Sequence, residues 1–137
     1  MKVFVSWKDS YSVRIPQIDA QHKGLIDLIN QLYAAMQAGK ALEATSKTVD
    51  ELAHYAETHF ACEERLMAEH RYSGLAAHRQ QHIGFTERVW DLREKSRAGK
   101  LTIGIETLEF LRNWLAGHIL TSDRAFAREL AGCRSAQ

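Results

Sequence analysis

With 137 residues, 45% of them hydrophobic, the chain is long enough to bury one continuous core and short for two. Its 18 basic and 17 acidic side chains are intermixed and leave a formal charge of +1, which gives neither a basic stripe for nucleic acid nor a polybasic membrane patch. No apolar run approaches the ~18 residues of a spanning helix, and MKVFVSWKDS lacks the apolar core of a signal peptide, so a cytoplasmic protein without membrane insertion is expected.

One proline and eight glycines favour helix. Residues 1–18 carry Phe4, Trp7, Tyr11 and Ile15 ahead of Pro16 in loose alternation, which predicts an extended arm laid across the rest. From Asp19 the period changes. Ile26, Ile29 and Met36 follow His22 at +4, +7 and +14, so this histidine lies on the apolar face of a first helix, with Gly39 as its C′ residue. A second helix runs from about Leu42 to His70 and puts Leu52, Ala56, His59, Glu63, Leu66 and Met67 on one face. Ser73-Gly74 breaks the chain. A third helix aligns Leu75, His78, His82, Phe85, Val89 and Leu92 before Ala98-Gly99. Thr102 is placed to cap a fourth, with Glu106 in its first turns, and Leu108, Leu111, Leu115 and His118 recur along it. Four helices with short links and inward polar groups at similar depth predict an all-α, antiparallel up-down-up-down four-helix bundle. It is a single domain over 1–137, with the arm at 1–18 and the bundle at 19–131.

The chemistry lies in five histidines and two carboxylates strung in one order: His22, His59-x-x-x-Glu63, His78-x-x-x-His82 and His118-x-x-x-x-Asp123. An i,i+4 pair on a helix leaves its side chains about 40° apart with roughly 6 Å of rise, so each pair can reach one metal or bridge to a second. Seven buried polar groups without metal would be strongly destabilising. They exceed the needs of one four-coordinate zinc and suit two iron-sized ions, and imidazole-rich sets favour Fe, Cu or Zn over Mg or Ca. The step from His118 to Asp123 is different. Five residues make about 500° of turn, which points the two side chains about 140° apart on a regular helix. If both reach one site, the helix must distort between Gly117 and Asp123.

Other metal patterns fail. Glu51-x-x-His54 is the one Glu-x-x-His where ferritin-like carboxylate sites need two, and no His-Glu-x-x-His is present. Cys62, one step from Glu63, turns about 100° away from the metal-facing direction and reads as a packing residue. A disulfide to Cys133, 71 positions on, is not expected in a reducing compartment. His54 and His70 are left as surface groups or as groups that support a ligand from behind.

These stretches resemble the hemerythrin family, in particular the bacterial single-domain hemerythrins. The resemblance is carried by Ile18-Asp19-x-Gln21-His22-Lys23 with Leu25, by His59-Phe60-x-x-Glu63-Glu64 with Leu66-Met67, by His78-x-x-x-His82, and by Trp114-Leu115-x-x-His118-Ile119-x-x-x-Asp123. It spans the chain from Trp7 to Asp123 and fills all seven ligand positions with the expected residue type. It implies that His78, His82 and His118 hold one iron, that His22 and His59 hold the other, and that Glu63, Asp123 and an oxo or hydroxo group bridge them. One iron is then left with an open position for O2. Leu25, Phe60, Trp114, Leu115 and Ile119 are the implied lining of that pocket. The implied function is reversible O2 binding for transport, storage or delivery, not catalysis, with O2 as the ligand and no protein partner specified. The alternatives are an O2 or redox sensor acting through a separate partner, or a di-iron enzyme acting on peroxide or nitric oxide. One departure stands at His70-Arg71-Tyr72-Ser73, where relatives commonly have a Gly before the Tyr and a Pro after it.

Overall fold

The computed structural model describes residues 4–39, 42–99 and 105–135. Four helical rods make up the described structure, with no strand among these residues: α1 (Pro16–Gln37), α2 (Leu42–Glu69), α3 (Leu75–Arg97) and a fourth rod in three parts. The fourth rod is α4 (Ile105–His118), a π-helical turn (Ile119–Asp123) and α5 (Arg124–Ser135), with His118 and Arg124 both in the right-handed region, so the axis continues through the turn. Neighbouring rods pack α1 on α2, α2 on α3 and α1 on α4. No described helix is long and apolar enough to cross a membrane. The expected Thr102 cap and the side chain of Cys133 lie outside the described residues.

The apolar stripes read from the sequence face inward. Ile26, Ile29, Leu52, Ala56, Phe85, Val89, Leu108 and Leu111 are all buried, and each large aliphatic removed from water contributes about 1.5–3 kcal/mol. Gly39 ends α1 at φ 60°, a left-handed C′ position that glycine adopts without strain. Arg71 does the same after α2 at φ 54°, with Tyr72 N–H bonded to Met67 O at 2.9 Å. Here the sequence departs from the family pattern, and a residue with a Cβ takes the conformation glycine prefers.

The arm differs from expectation in two ways. The first helix begins at Pro16, not Asp19, because proline's fixed φ suits the first helical position and Ile15 before it is extended. A short 3-10 turn, Asp9–Tyr11, also interrupts the extended run. The arm packs on its own bundle. Asn30 accepts from the N–H groups of Phe4 and Val5 through Oδ1, both at 2.9 Å, and donates to Val5 O at 2.8 Å. Phe4 stacks on Tyr33 at 4.9 Å, and Asp19 ties the arm to α1 by accepting from Ser12 Oγ at 2.6 Å and Val13 N at 2.9 Å. At the other end, α5 continues past the expected boundary at 131 to Ser135.

Candidate metal centre

All seven predicted ligands are buried and converge in the bundle interior: His22 from the first half of α1, His59 and Glu63 from the second half of α2, His78 and His82 from the first half of α3, His118 from α4, and Asp123 from the π turn. The turn supplies the distortion that the spacing required. Arg124 N–H bonds to Ile119 O, an i→i+5 link, which brings residues five apart nearly one above the other where an α-helix would splay them. Thr121 Oγ donates to Gly117 O at 2.7 Å and satisfies a carbonyl at the entrance to the bulge. Asp123 thereby joins His118 in one site.

The two carboxylates divide the histidines. Glu63 Oε1 stands 2.6 Å from His78 Nε2, 3.1 Å from His82 Nε2 and 3.7 Å from His118 Nε2. Asp123 Oδ1 lies 3.0 Å from His78 Nε2 and 3.2 Å from His118 Nε2. The other oxygen of each faces the remaining pair. Glu63 Oε2 is 3.3 Å from His59 and 3.7 Å from His22, and Asp123 Oδ2 is 3.0 Å from His22. The result is a three-histidine side and a two-histidine side, with each carboxylate spanning both.

The spacing fits metal. Two donors about 2.1 Å from one ion at right angles stand about 3.0 Å apart. The His82 and His118 Nε2 atoms are 3.1 Å apart, a separation two donors adopt when both aim at one cation. Several buried atoms also lack hydrogen-bond geometry to any partner: His22 Nε2, Glu63 Oε2 and both Asp123 oxygens. Each points into the cluster, where a cation would satisfy it.

The seven buried groups shift one another's titration. Burial alone would lower His22 and His78, but contacts with Asp123 and Glu63 outweigh it and push both up to about 9. His118 is raised on the same balance, while burial prevails at His59 and lowers it. Glu63 is held well below the carboxylate range despite its burial, because four histidines face it. Burial and the nearby Glu63 charge would raise Asp123, yet His118, His22 and His78 bring it down. Protons on histidine thus stand in for the positive charge that a metal would provide.

A ring of supporting side chains escaped the sequence reading as functional groups. Gln21 Oε1 accepts from His59 Nδ1 at 2.6 Å, Glu64 Oε2 from His82 Nδ1 at 2.8 Å, and Gln81 Oε1 from His118 Nδ1 at 2.8 Å. Each of these residues is the sequence neighbour of a ligand on one helix and holds the histidine of the next helix, fixing its tautomer with Nε2 turned inward. That adjacency is the signal that could have found them. Ser122 steadies Gln81 at 2.6 Å, and Arg79 steadies Glu64 at 2.8 Å. The ring does not close at His22, whose buried Nδ1 has no partner among the described residues.

The aromatic residues beside the ligands pack on the rings. Phe60 stacks on His82 at 3.9 Å and 8°, and half-buried Trp114 stacks on His118 at 4.5 Å and 14°. Leu25, Leu115 and Ile119 are buried in the same core. Cys62 is half-buried and receives the amides of Gln17 at 3.3 Å and Gln21 at 3.5 Å. His54 and His70 are exposed.

Comparison with known proteins agrees with this geometry. Residues 13–130 match the hemerythrin family, described as the Hemerythrin HHE cation binding domain. The chain is 36% identical over 124 residues to a bacteriohemerythrin of Stenotrophomonas maltophilia, covering 90% of this chain and 80% of that one. It is 37% identical over 120 residues to a bacteriohemerythrin of Pseudomonas aeruginosa, covering 88% and 77%. A crystal structure of wild-type hemerythrin superposes with a TM-score of 0.86 at 28% identity, covering 91% of this chain and 96% of that one. With sequence and fold matched over nearly its whole length, the chain belongs to the hemerythrin family of cation-binding four-helix domains.

Proposed function

We infer that this chain holds two iron ions and binds O2 reversibly, serving oxygen transport, storage or delivery without chemical turnover. The observation that carries this reading is the division of the carboxylate oxygens, one of each toward His78, His82 and His118 and the other toward His22 and His59. Such a split suits two cations side by side and would waste donors on one. The three-histidine side offers five protein donors and the two-histidine side four. With one shared oxygen bridge, a six-coordinate ion would be complete on the first side and one position short on the second. When bound in the ferrous state, the iron pair supplies the electrons that O2 takes up and recovers them when O2 leaves.

The chain's own residues prepare that exchange. Gln21, Glu64 and Gln81 hold His59, His82 and His118 with Nε2 inward, so no ring must reorient as a ligand enters or leaves. Phe60 and Trp114 clamp the His82 and His118 rings by stacking. Buried Leu25, Leu115 and Ile119 provide an apolar wall that excludes water from the open position.

Anaerobic iron loading followed by visible spectroscopy tests the reading. Two irons per chain are expected, with a charge-transfer band that appears on adding O2 and disappears under argon. One iron per chain, or a band that never reverses, would overturn it. Steady consumption of peroxide or nitric oxide that is lost in His59→Ala would show an enzyme instead.

A further inference from the structure

A second cluster lies away from the metal centre, where the arm meets α5. Arg14, Arg124 and Arg128 line a cleft of about 440 Å³ whose apolar wall includes Val13, Ile15 and Leu130. That volume is within the range of small-ligand sites, about 300–1,000 Å³. No acidic residue is among its lining. Arg14 and Arg128 have no carboxylate partner among the described residues. Arg124, also in the lining, donates from its guanidinium to Ser10 O and so ties α5 to the arm beside the cleft.

Three features of this arrangement cost free energy. Arg124 and Arg128 are four apart on one face of α5, a like-charge spacing that destabilises a helix by about 0.2–0.5 kcal/mol. Arg14 adds a third cation. Its backbone is held at φ 61°, in the left-handed region, by the Ser12 hydroxyl accepting its N–H at 3.2 Å and by Asp19 anchoring Ser12 and Val13. A non-glycine residue kept in that region is strain the surrounding contacts impose, and such strain gathers where a side chain is being aimed.

We propose that this cleft binds a phosphate monoester, its phosphate held by Arg14, Arg124 and Arg128 and its apolar body laid on Val13, Ile15 and Leu130. Three guanidinium forks match the three terminal oxygens and double charge of a phosphate monoester better than the single charge of a carboxylate. The apolar wall selects an ester over inorganic phosphate. The ester is either a soluble metabolite or the headgroup of a phosphatidic-acid-type lipid, since both present the same group.

Calorimetric titration of the full-length, iron-loaded protein with phenyl phosphate tests the site. One saturable event is expected, about tenfold tighter than inorganic phosphate and weakened about tenfold or more in Arg14→Gln/Arg128→Gln. These arginines are exposed, so the variant keeps its fold, which circular dichroism checks. Co-sedimentation with phosphatidic acid vesicles that requires the same two arginines, without a soluble-ester signal, supports the site with lipid as its source. Heat that persists in the double variant comes from elsewhere on the molecule, the metal centre included, and overturns the proposal. Absence of arginine-dependent binding to either probe overturns it as well.

Discussion

Metal uptake should release protons, and the number should depend on pH in a defined way. In the metal-free cluster His22 and His78 are pushed up to about 9 by Asp123 and Glu63, so at pH 7 both are protonated on the atom a metal needs. Glu63 and Asp123 are held low and His59 is lowered, so none of these has a proton to give. Fe(II) loading at pH 7 should therefore release about two protons from this pair, more as His118 contributes. Removing these protons roughly two units below the pKa costs on the order of 5 kcal/mol for the pair, a cost that fades as pH approaches 9. Apparent metal affinity should then rise about a hundredfold per pH unit between 7 and 8.

The same shifts set the stability of the metal-free protein. A raised histidine contributes stability that is complete below its ordinary value of 6.5 and lost as pH rises through about 9. The lowered carboxylates act oppositely. Their contribution is present above their ordinary values of 4.5 and 3.8 and lost as pH falls. Metal-free protein should thus unfold more easily at pH 9.5 than at pH 7, and more easily again in acid. Anaerobic Fe(II) calorimetry in buffers of different ionisation enthalpy counts the protons, and chelated protein melted across pH gives the stability. A metal-bound water would also release a proton, but its contribution would not fall away through pH 9. Proton release near zero at pH 7 together with pH-independent affinity would refute the charged-histidine cluster.

Leu115→Ala, at a residue 3% exposed beside the cluster, should cost about 2–4 kcal/mol and speed autoxidation several-fold by admitting water. An unchanged autoxidation rate in a folded variant would remove Leu115 from the wall. Arg71→Gly should raise unfolding stability by about 1 kcal/mol, because φ 54° is free for glycine and strained for arginine. A loss in chemical denaturation would mean that the arginine side chain contributes more than its backbone costs. Asn30→Ala removes all three bonds to Phe4 and Val5 and should cost about 1–3 kcal/mol. Hydrogen exchange at these two amides should accelerate while the core amides of α2 and α3 hold; exchange unchanged at Val5 would place the arm's anchor elsewhere.

Much of this protein is determined by local spacing, and local spacing is what a sequence displays. Helix period puts His22, His59, Glu63, His78, His82 and His118 on the same faces as Ile29, Leu52, Phe85 and Leu111, so bundle and ligands follow together. The bulge between Gly117 and Asp123 was legible too, because five residues cannot bring two α-helical side chains to one site. The start of α1 is less legible: it lies at Pro16, three residues before the period changes at Asp19, because proline serves equally to end an arm and to open a helix.

Only the tertiary structure decided which carboxylate oxygen faces which histidine, since that depends on the rotation and depth of helices far apart in the chain. The pairing of Gln21 with His59, Glu64 with His82 and Gln81 with His118 crosses from one helix to the next for the same reason. So do the seating of the arm on Asn30 and the meeting of Arg14 with Arg124 and Arg128, 110 and more positions away. Periodicity reports the direction of a side chain from its own axis. Packing alone decides what stands opposite it.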